Sequence, residues 1–163
     1  MPQSTDFQCG EVALVGRPNG GKSTLLNRLL GQKISITARR PQTTLHRILG
    51  INTDSSTQIV YVDTPGMHAT TPRAMNRYLN RTAIDTLVDV DVIVFVIEGM
   101  RWMPDDQWVL EKLAELKSPV ILVVNKVDHV KQKEELLPFL QEVSAKHAFT
   151  DILPVSALRG DNV

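Results

Sequence analysis

The run Gly16-Arg17-Pro18-Asn19-Gly20-Gly21-Lys22-Ser23-Thr24 constrains this chain more than any other feature. It satisfies the pattern G-x-x-x-x-G-K-[ST], and three of the nine glycines of the chain, Gly16, Gly20 and Gly21, fall within six residues. An apolar segment, Glu11–Gly16, precedes it and reads as a buried strand; Lys22–Leu30 follows and reads as a helix. Glycine lets a backbone curl closely round an anion with its amides pointing inward. The start of a helix adds the positive end of its dipole at the same place. Lys22 then neutralises β- and γ-phosphates, and the Ser23 hydroxyl suits Mg2+. A glycine turn with an incidental Lys-Ser is the bland alternative, and the strand-to-helix setting argues against it.

The rest of the chain alternates short apolar runs with longer amphipathic ones. Ile48–Asn52 and Gln58–Asp63 are β-rich and flank Thr53-Asp54-Ser55-Ser56-Thr57, a hairpin signal. Arg73–Val88 has Met75, Leu79, Ala83 and Leu87 at four-residue steps, the helical period. Val92–Ile97 is almost unbroken apolar, as a parallel strand covered on both faces would be. Pro104-Asp105-Asp106 opens a helix, with proline early and acids in its first turn. A strand at Val120–Val124, a helix at Lys133–Lys146 and a strand at Ile152–Val155 complete the series. Strands alternating with helices predict a mostly parallel α/β sheet with helices on both faces and one antiparallel edge. The chain stops just after Gly160-Asp161-Asn162, where another helix is expected, so it reads as a fragment of a longer polypeptide.

A length of 163 residues points to one domain, here spanning 1–163. Lys plus Arg equals Asp plus Glu at 18 each, so no net field draws in nucleic acid or an anionic membrane. The single cysteine, Cys9, excludes an internal disulfide, fits a reducing compartment and is expected as a small buried hydrophobe. The N-terminus lacks the pattern of a secretory signal. The apolar runs are far shorter than the ~20 residues of a membrane span. The four histidines are widely spaced and form no metal-ligand pattern.

Two further motifs bear chemistry. Val62-Asp63-Thr64-Pro65-Gly66 ends a strand with a carboxylate, on the edge that faces the phosphate loop. There Asp63 can hold Mg2+ through water, and the Gly66 amide can reach a γ-phosphate. Asn125-Lys126-Val127-Asp128 follows an apolar strand. Guanine presents two adjacent donors, N1–H and the 2-amino group, which one carboxylate accepts as a fork. Adenine would leave that carboxylate unpaired, at a cost of about 1–3 kcal/mol per buried group. Asp128 is therefore the candidate reader of guanine. Asn125 ties its loop to the phosphate loop, and the Lys126 stem packs on the base. Ser156-Ala157-Leu158, after the last strand, can add a backbone amide to the guanine oxygen.

These elements, in this order, resemble the translation-factor-related GTPases. Gly31-Gln32-Lys33-Ile34-Ser35-Ile36, Pro41-Gln42-Thr43-Thr44 with His46-Arg47, Asp63-Thr64-Pro65-Gly66-Met67-His68, and Glu98-Gly99 through Arg101-Trp102-x-Pro104-Asp105-Asp106 narrow the likeness to the bacterial Era family. The resemblance implies a P-loop NTPase fold with sheet order 2-3-1-4-5-6, binding GTP and GDP with Mg2+. It makes Thr44 the first-switch threonine that joins Ser23 and Asp63 around the metal, with Thr43 the lesser candidate. Lys22, Thr44 and Gly66 are the implied catalytic set. Asn19 resembles the asparagine that related GTPases use to hold K+ beside the β–γ bridge. The family also implies a following KH domain that grips 16S ribosomal RNA, a switch role in small-subunit assembly, a monomer, and a cytoplasmic location with peripheral inner-membrane association. No second domain is present in these residues.

Met67 stands where Ras-like enzymes carry a water-orienting glutamine, and Arg17, Arg39 and Arg40 read as solvated charges rather than arginine fingers. Slow hydrolysis follows as an expectation. Gly20 departs from the family, which carries valine or a similar residue there; a small void behind the loop is expected, with Gly20→Val tightening binding or raising the melting temperature. Trp102 reads as an anchor for the strand–helix connection. A nucleotide-gated RNA- or ribosome-binding module with negligible hydrolysis is the second reading. A P-loop kinase is a distant third, disfavoured by Asn125-Lys126-Val127-Asp128.

Overall fold

The computed structural model describes residues 6–17, 19–31, 47–64 and 74–163, with backbone only at 47, 48, 63 and 74–79. The elements run β1 (Gln8–Val15), α1 (Lys22–Leu30), β2 (Arg47–Thr53), β3 (Thr57–Asp63), α2 (Ala74–Val88), β4 (Val92–Glu98), α3 (Pro104–Leu113), β5 (Val120–Asn125), α4 (Leu136–Ser144) and β6 (Asp151–Pro154). The six strands form one sheet in the order β2-β3-β1-β4-β5-β6, as the family resemblance implied. Only β2 and β3 are antiparallel; the other neighbours are parallel.

The apolar runs explain this layout. Strands buried on both faces need large side chains pointing both ways. Phe95 and Ile97 of β4 join one core cluster with Ala83, Leu87, Val109, Leu113 and Val143 of the helices on that face. Val96, between them, joins the other cluster with Leu25 and Leu26 of α1. Leu122 and Val124 of β5 likewise face the first cluster, and Val123 faces the second. Trp102 meets Phe95 edge-on, with ring centroids 6.1 Å apart, and anchors the β4–α3 connection as expected.

Three expectations change. Cys9 is exposed rather than buried. β1 starts at Gln8 rather than Glu11; Gln8 and Cys9 are exposed, and only Ala13 to Val15 are fully covered. The expected helix over Lys133–Lys146 begins as a 3-10 turn at Lys133–Glu135 and becomes α-helical at Leu136. Pro138 has no N–H to give to a preceding turn, so regular α-helix cannot begin well before it. Among the described residues, no helix is long and apolar enough to cross a membrane.

All parallel strands present their C-terminal ends on one side. The loops after β1, β3, β4, β5 and β6 therefore share one crevice, where ligands bind in open α/β sheets.

Candidate functional site

The loop after β1 turns on residues with unusual backbone. Asn19 has φ 63° and Gly21, at the N-cap of α1, has φ 92°. A Cβ built on Gly21 would lie 2.2 Å from Asn125 Nδ2, so the close approach of two loops demands glycine. The Lys22 ammonium donates to the carbonyls of Gly16 (2.8 Å) and Arg17 (2.7 Å), bracing the loop across its mouth. Ser23 and Thr24 sit exposed in the first turn of α1. Pro18 lies outside the described residues.

The other loops converge on this one. Asp63 pairs in register with Leu14, which sets its backbone beside the start of the loop. Thr64 is buried, and its hydroxyl donates to the Leu14 carbonyl at 2.9 Å, fixing the exit of β3. Thr44, Pro65, Gly66, Met67 and the side chain of Asp63 fall outside the described residues. Asn125, only 2% exposed, clamps two loops at once. Its Nδ2 donates to the Gly20 carbonyl, and its Oδ1 accepts the Ala157 amide, each at 3.0 Å. Lys126, at φ 64°, sends its ammonium to the Asn19 carbonyl (2.9 Å) and to the Glu98 carboxylate (2.8 Å). That hydrogen bond holds the Glu98 carboxyl below its usual range.

Asp128 borders a cavity of about 140 Å³ lined also by Gly21, Thr24, Asn125, Lys126, His129 and Leu158. Its side chain is 4% exposed. The Ser156 hydroxyl donates to Asp128 Oδ1 at 2.7 Å, and this bond holds the carboxyl below the ordinary carboxylate range. His129 Nε2 and Arg159 Nε approach Oδ2 at 3.4 and 3.9 Å. Ser156 thus serves through its hydroxyl, a role the sequence pattern does not show; its amide donates to the Asp161 carbonyl. The carboxylate is kept ionised and aimed, the state needed to accept two donors.

Three residues to which the sequence pattern gives no role at the site complete it. Glu98 steadies Lys126. Arg28, in the last turn of α1, donates from Nε to the Ala157 carbonyl at 3.1 Å and from Nη2 to the Leu158 carbonyl. Asp106 accepts Arg17 Nε at 2.8 Å, so Arg17 is ion-paired with a buried carboxylate rather than solvated. The expected void behind Gly20 is absent: a Cβ there would lie 3.3 Å from the Arg17 carbonyl and 3.7 Å from that of Val96. The Arg17 oxygen is itself held by Lys22, so a larger residue at Gly20 has no empty space to fill.

Arg28 yields a prediction. Arg28→Met keeps the apolar stem and removes both donors to the Ser156–Leu158 loop. Each such bond is worth about 1 kcal/mol, so GDP affinity should fall by up to about thirtyfold in a fluorescence titration. Unchanged affinity would show that these contacts do not position the loop.

The family model described as "50S ribosome-binding GTPase" matches residues 11–126, which hold the phosphate loop, the Asp63 strand and the start of the Asn125 motif. The chain belongs to this GTPase family. Within it, the Era likeness read from the sequence is borne out. The chain is 56% identical over 162 residues to GTPase Era of Marinobacter nauticus, covering 99% of this chain and 53% of that protein. It is 58% identical over 161 residues to GTPase Era of Actinobacillus pleuropneumoniae serotype 5b, with the same coverages. It thus spans about half the length of these relatives. Among solved structures, an Era complex with MgGDPNP and nucleotides 1506–1542 of 16S ribosomal RNA matches with TM-score 0.78 and 39% identity, covering 96% of this chain and 53% of that one. An Aquifex aeolicus Era variant bound to GDP and aluminium fluoride matches with TM-score 0.77 and 39% identity, covering 94% and 53%.

Proposed function

We propose that this chain is the GTP-binding, GTP-hydrolysing domain of an Era-type switch protein. The observation that carries the reading is the double clamp of Asn125, which joins the phosphate loop to the base-reading loop beside an ionised, buried Asp128. The phosphate loop amides and Lys22 hold the triphosphate, and the same fixed dipoles stabilise charge that develops on transfer to water. Asp128 selects guanine, the Lys126 stem covers the base, and an amide of the Ser156–Leu158 loop meets the guanine oxygen.

Mg2+ fits the residues available. The Ser23 hydroxyl, the Asp63 carboxylate and the Thr44 hydroxyl are hard oxygen donors, the type Mg2+ takes. Ser23 and the Asp63 backbone lie at adjoining loops of one crevice. Held there by Ser23, Asp63 and Thr44, the metal would neutralise charge on the phosphates. Met67 follows Gly66 and cannot orient water by hydrogen bonding, so turnover without a partner is slow. Asn19 would hold a K+ that supplies the charge an arginine finger supplies elsewhere; faster hydrolysis in potassium than in sodium buffer is the expected result, and equal rates count against it.

The wider role comes from the relatives. The Era complex with a 16S ribosomal RNA fragment supports a switch linked to the small subunit; by the family resemblance, a KH domain outside these residues would supply the main grip on RNA. A monomer in the cytoplasm, with peripheral association at the inner membrane, completes the reading by resemblance.

The test is multiple-turnover phosphate release from GTP and ATP, with and without Mg2+. Slow release from GTP alone, dependent on Mg2+, is the expected result. Tight GTP binding without release would leave only a nucleotide-gated module, and equal release from ATP would refute the base assignment. A pH series adds a second check. Asp128, its carboxyl held low, takes up a proton only below the ordinary value of about 4. The ratio of GDP to ADP affinity therefore stays constant from about pH 8 down to about pH 5, and falls only in stronger acid. A drop already within that range would show that a group other than the Asp128 carboxylate sets base recognition.

A further inference from the structure

Asp106 lies in the first turn of α3, away from the base and phosphate loops in sequence, yet it is bonded into one of them. It is fully buried. Its two oxygens serve different partners. Oδ2 accepts the Met103 amide at 2.9 Å and caps α3. Oδ1 accepts Arg17 Nε at 2.8 Å, across 89 residues of sequence.

A helix cap alone explains only half of this. Capping needs one acceptor and works well at the surface, whereas burial pushes the Asp106 carboxyl up from its ordinary range. Burying a carboxylate costs desolvation, and leaving it without its partner costs far more, so the pairing with Arg17 matters here. The partner is informative: the carbonyl of Arg17 accepts both the Lys22 ammonium (2.7 Å) and the Gly20 amide (3.3 Å). One residue therefore carries, on its backbone, the brace of the phosphate loop and, on its side chain, a tie to α3. Trp102, packed edge-on against Phe95, fixes the segment leading into that helix.

We propose that Asp106 is a positioning residue for the phosphate loop: by holding Arg17 it sets the carbonyl cradle of Lys22 and so the affinity for the phosphates that GDP and GTP share. The same contact turns the Arg17 guanidinium toward α3, which accounts for its not serving as an arginine finger. The effect on affinity rests on the guanine-nucleotide reading of the site; the effect on the loop itself does not.

The experiment uses Asp106→Asn, Arg17→Gln and the double variant in this chain. Asparagine retains an oxygen for the Met103 amide, so the cap survives while the charged tie is lost. Three quantities are read: Kd for GDP and for a non-hydrolysable GTP analogue, the GDP to ADP affinity ratio, and nucleotide-free hydrogen exchange of the amides of Gly20, Gly21 and Lys22. Each single variant should weaken both guanine nucleotides about tenfold, the double no more than either single, because coupled pairs are not additive. The base ratio should be unchanged, and loop amides should exchange about tenfold faster. A general loss of fold would instead lower the base ratio and raise exchange throughout, and Arg17→Gln, at a side chain 18% exposed, decides the matter if Asp106→Asn does not fold. Unchanged Kd in a folded single variant, a hundredfold loss in the double, or unchanged loop exchange would overturn the proposal. Failure of the unaltered chain to bind guanine nucleotides would refute the functional reading, while faster loop exchange in the variants would still sustain the tie.

Discussion

Gly21→Ala is expected to weaken GDP binding by at least about a hundredfold and to lower the melting temperature. The residue sits at φ 92°, where an L side chain is strained by about 1–2 kcal/mol. The steric contact costs more: a Cβ would lie 2.2 Å from Asn125 Nδ2, and Asn125 must move. Its two bonds, to the Gly20 carbonyl and the Ala157 amide, are buried. Each buried group left unpaired costs about 1–3 kcal/mol. Together these exceed the ~2.7 kcal/mol that corresponds to a hundredfold in affinity. Gly99→Ala is the control, since Gly99 also has positive φ (56°) but a Cβ there meets nothing within 4 Å. It should show the strain alone. Calorimetric titration with GDP and a thermal melt of both variants separate the two effects; equal behaviour of the pair would show that the Asn125 clamp is not what Gly21 protects.

Asp128→Asn is expected to cost the same order in GDP affinity for a different reason, leaving the fold intact. Guanine offers two donors to two carboxylate oxygens. Asparagine offers one acceptor and one donor, so one pair becomes donor against donor, and charge assistance is lost from the other. A loss of about 100- to 1000-fold follows for two such contacts. The Ser156 hydroxyl, 2.7 Å from Oδ1, can still bond the amide, so the loop should hold. Xanthine carries a carbonyl where guanine has its 2-amino group and matches the amide. Competition between GDP and xanthosine diphosphate should therefore reverse in order; retained preference for GDP would mean that Asp128 does not read the base.

The features legible in the sequence are those written in local pattern. Lys22–Leu30 is placed to the residue because a glycine-rich turn fixes where its helix starts. The central strands β4 and β5 are found because a strand buried on both faces shows as an apolar run whatever its neighbours are, and β2 and β3 because β-rich runs flank a hairpin signal. Strand order comes from family likeness, not from periodicity. The residues that escape such reading act across the sheet. Arg17 and Asp106 are 89 residues apart, and Arg28 lies 129 from Ala157. Neither pair has a spacing that could announce it; each exists only once the crossovers have stacked α1 and α3 beside their loops. Cys9 departs from its expected burial because residue type does not show which part of a strand is covered, and here cover begins only at Ala13. Pro138 does carry a signal for the shortened α4, which the helical pattern around it obscures.

Calorimetric titration of this chain with GDP and ADP, side by side in Mg2+ buffer, bears most directly on the whole reading. A saturable heat with GDP at one site, and no measurable heat with ADP at the same concentrations, is the predicted outcome. Equal heats for the two nucleotides, or no heat with either, would contradict it.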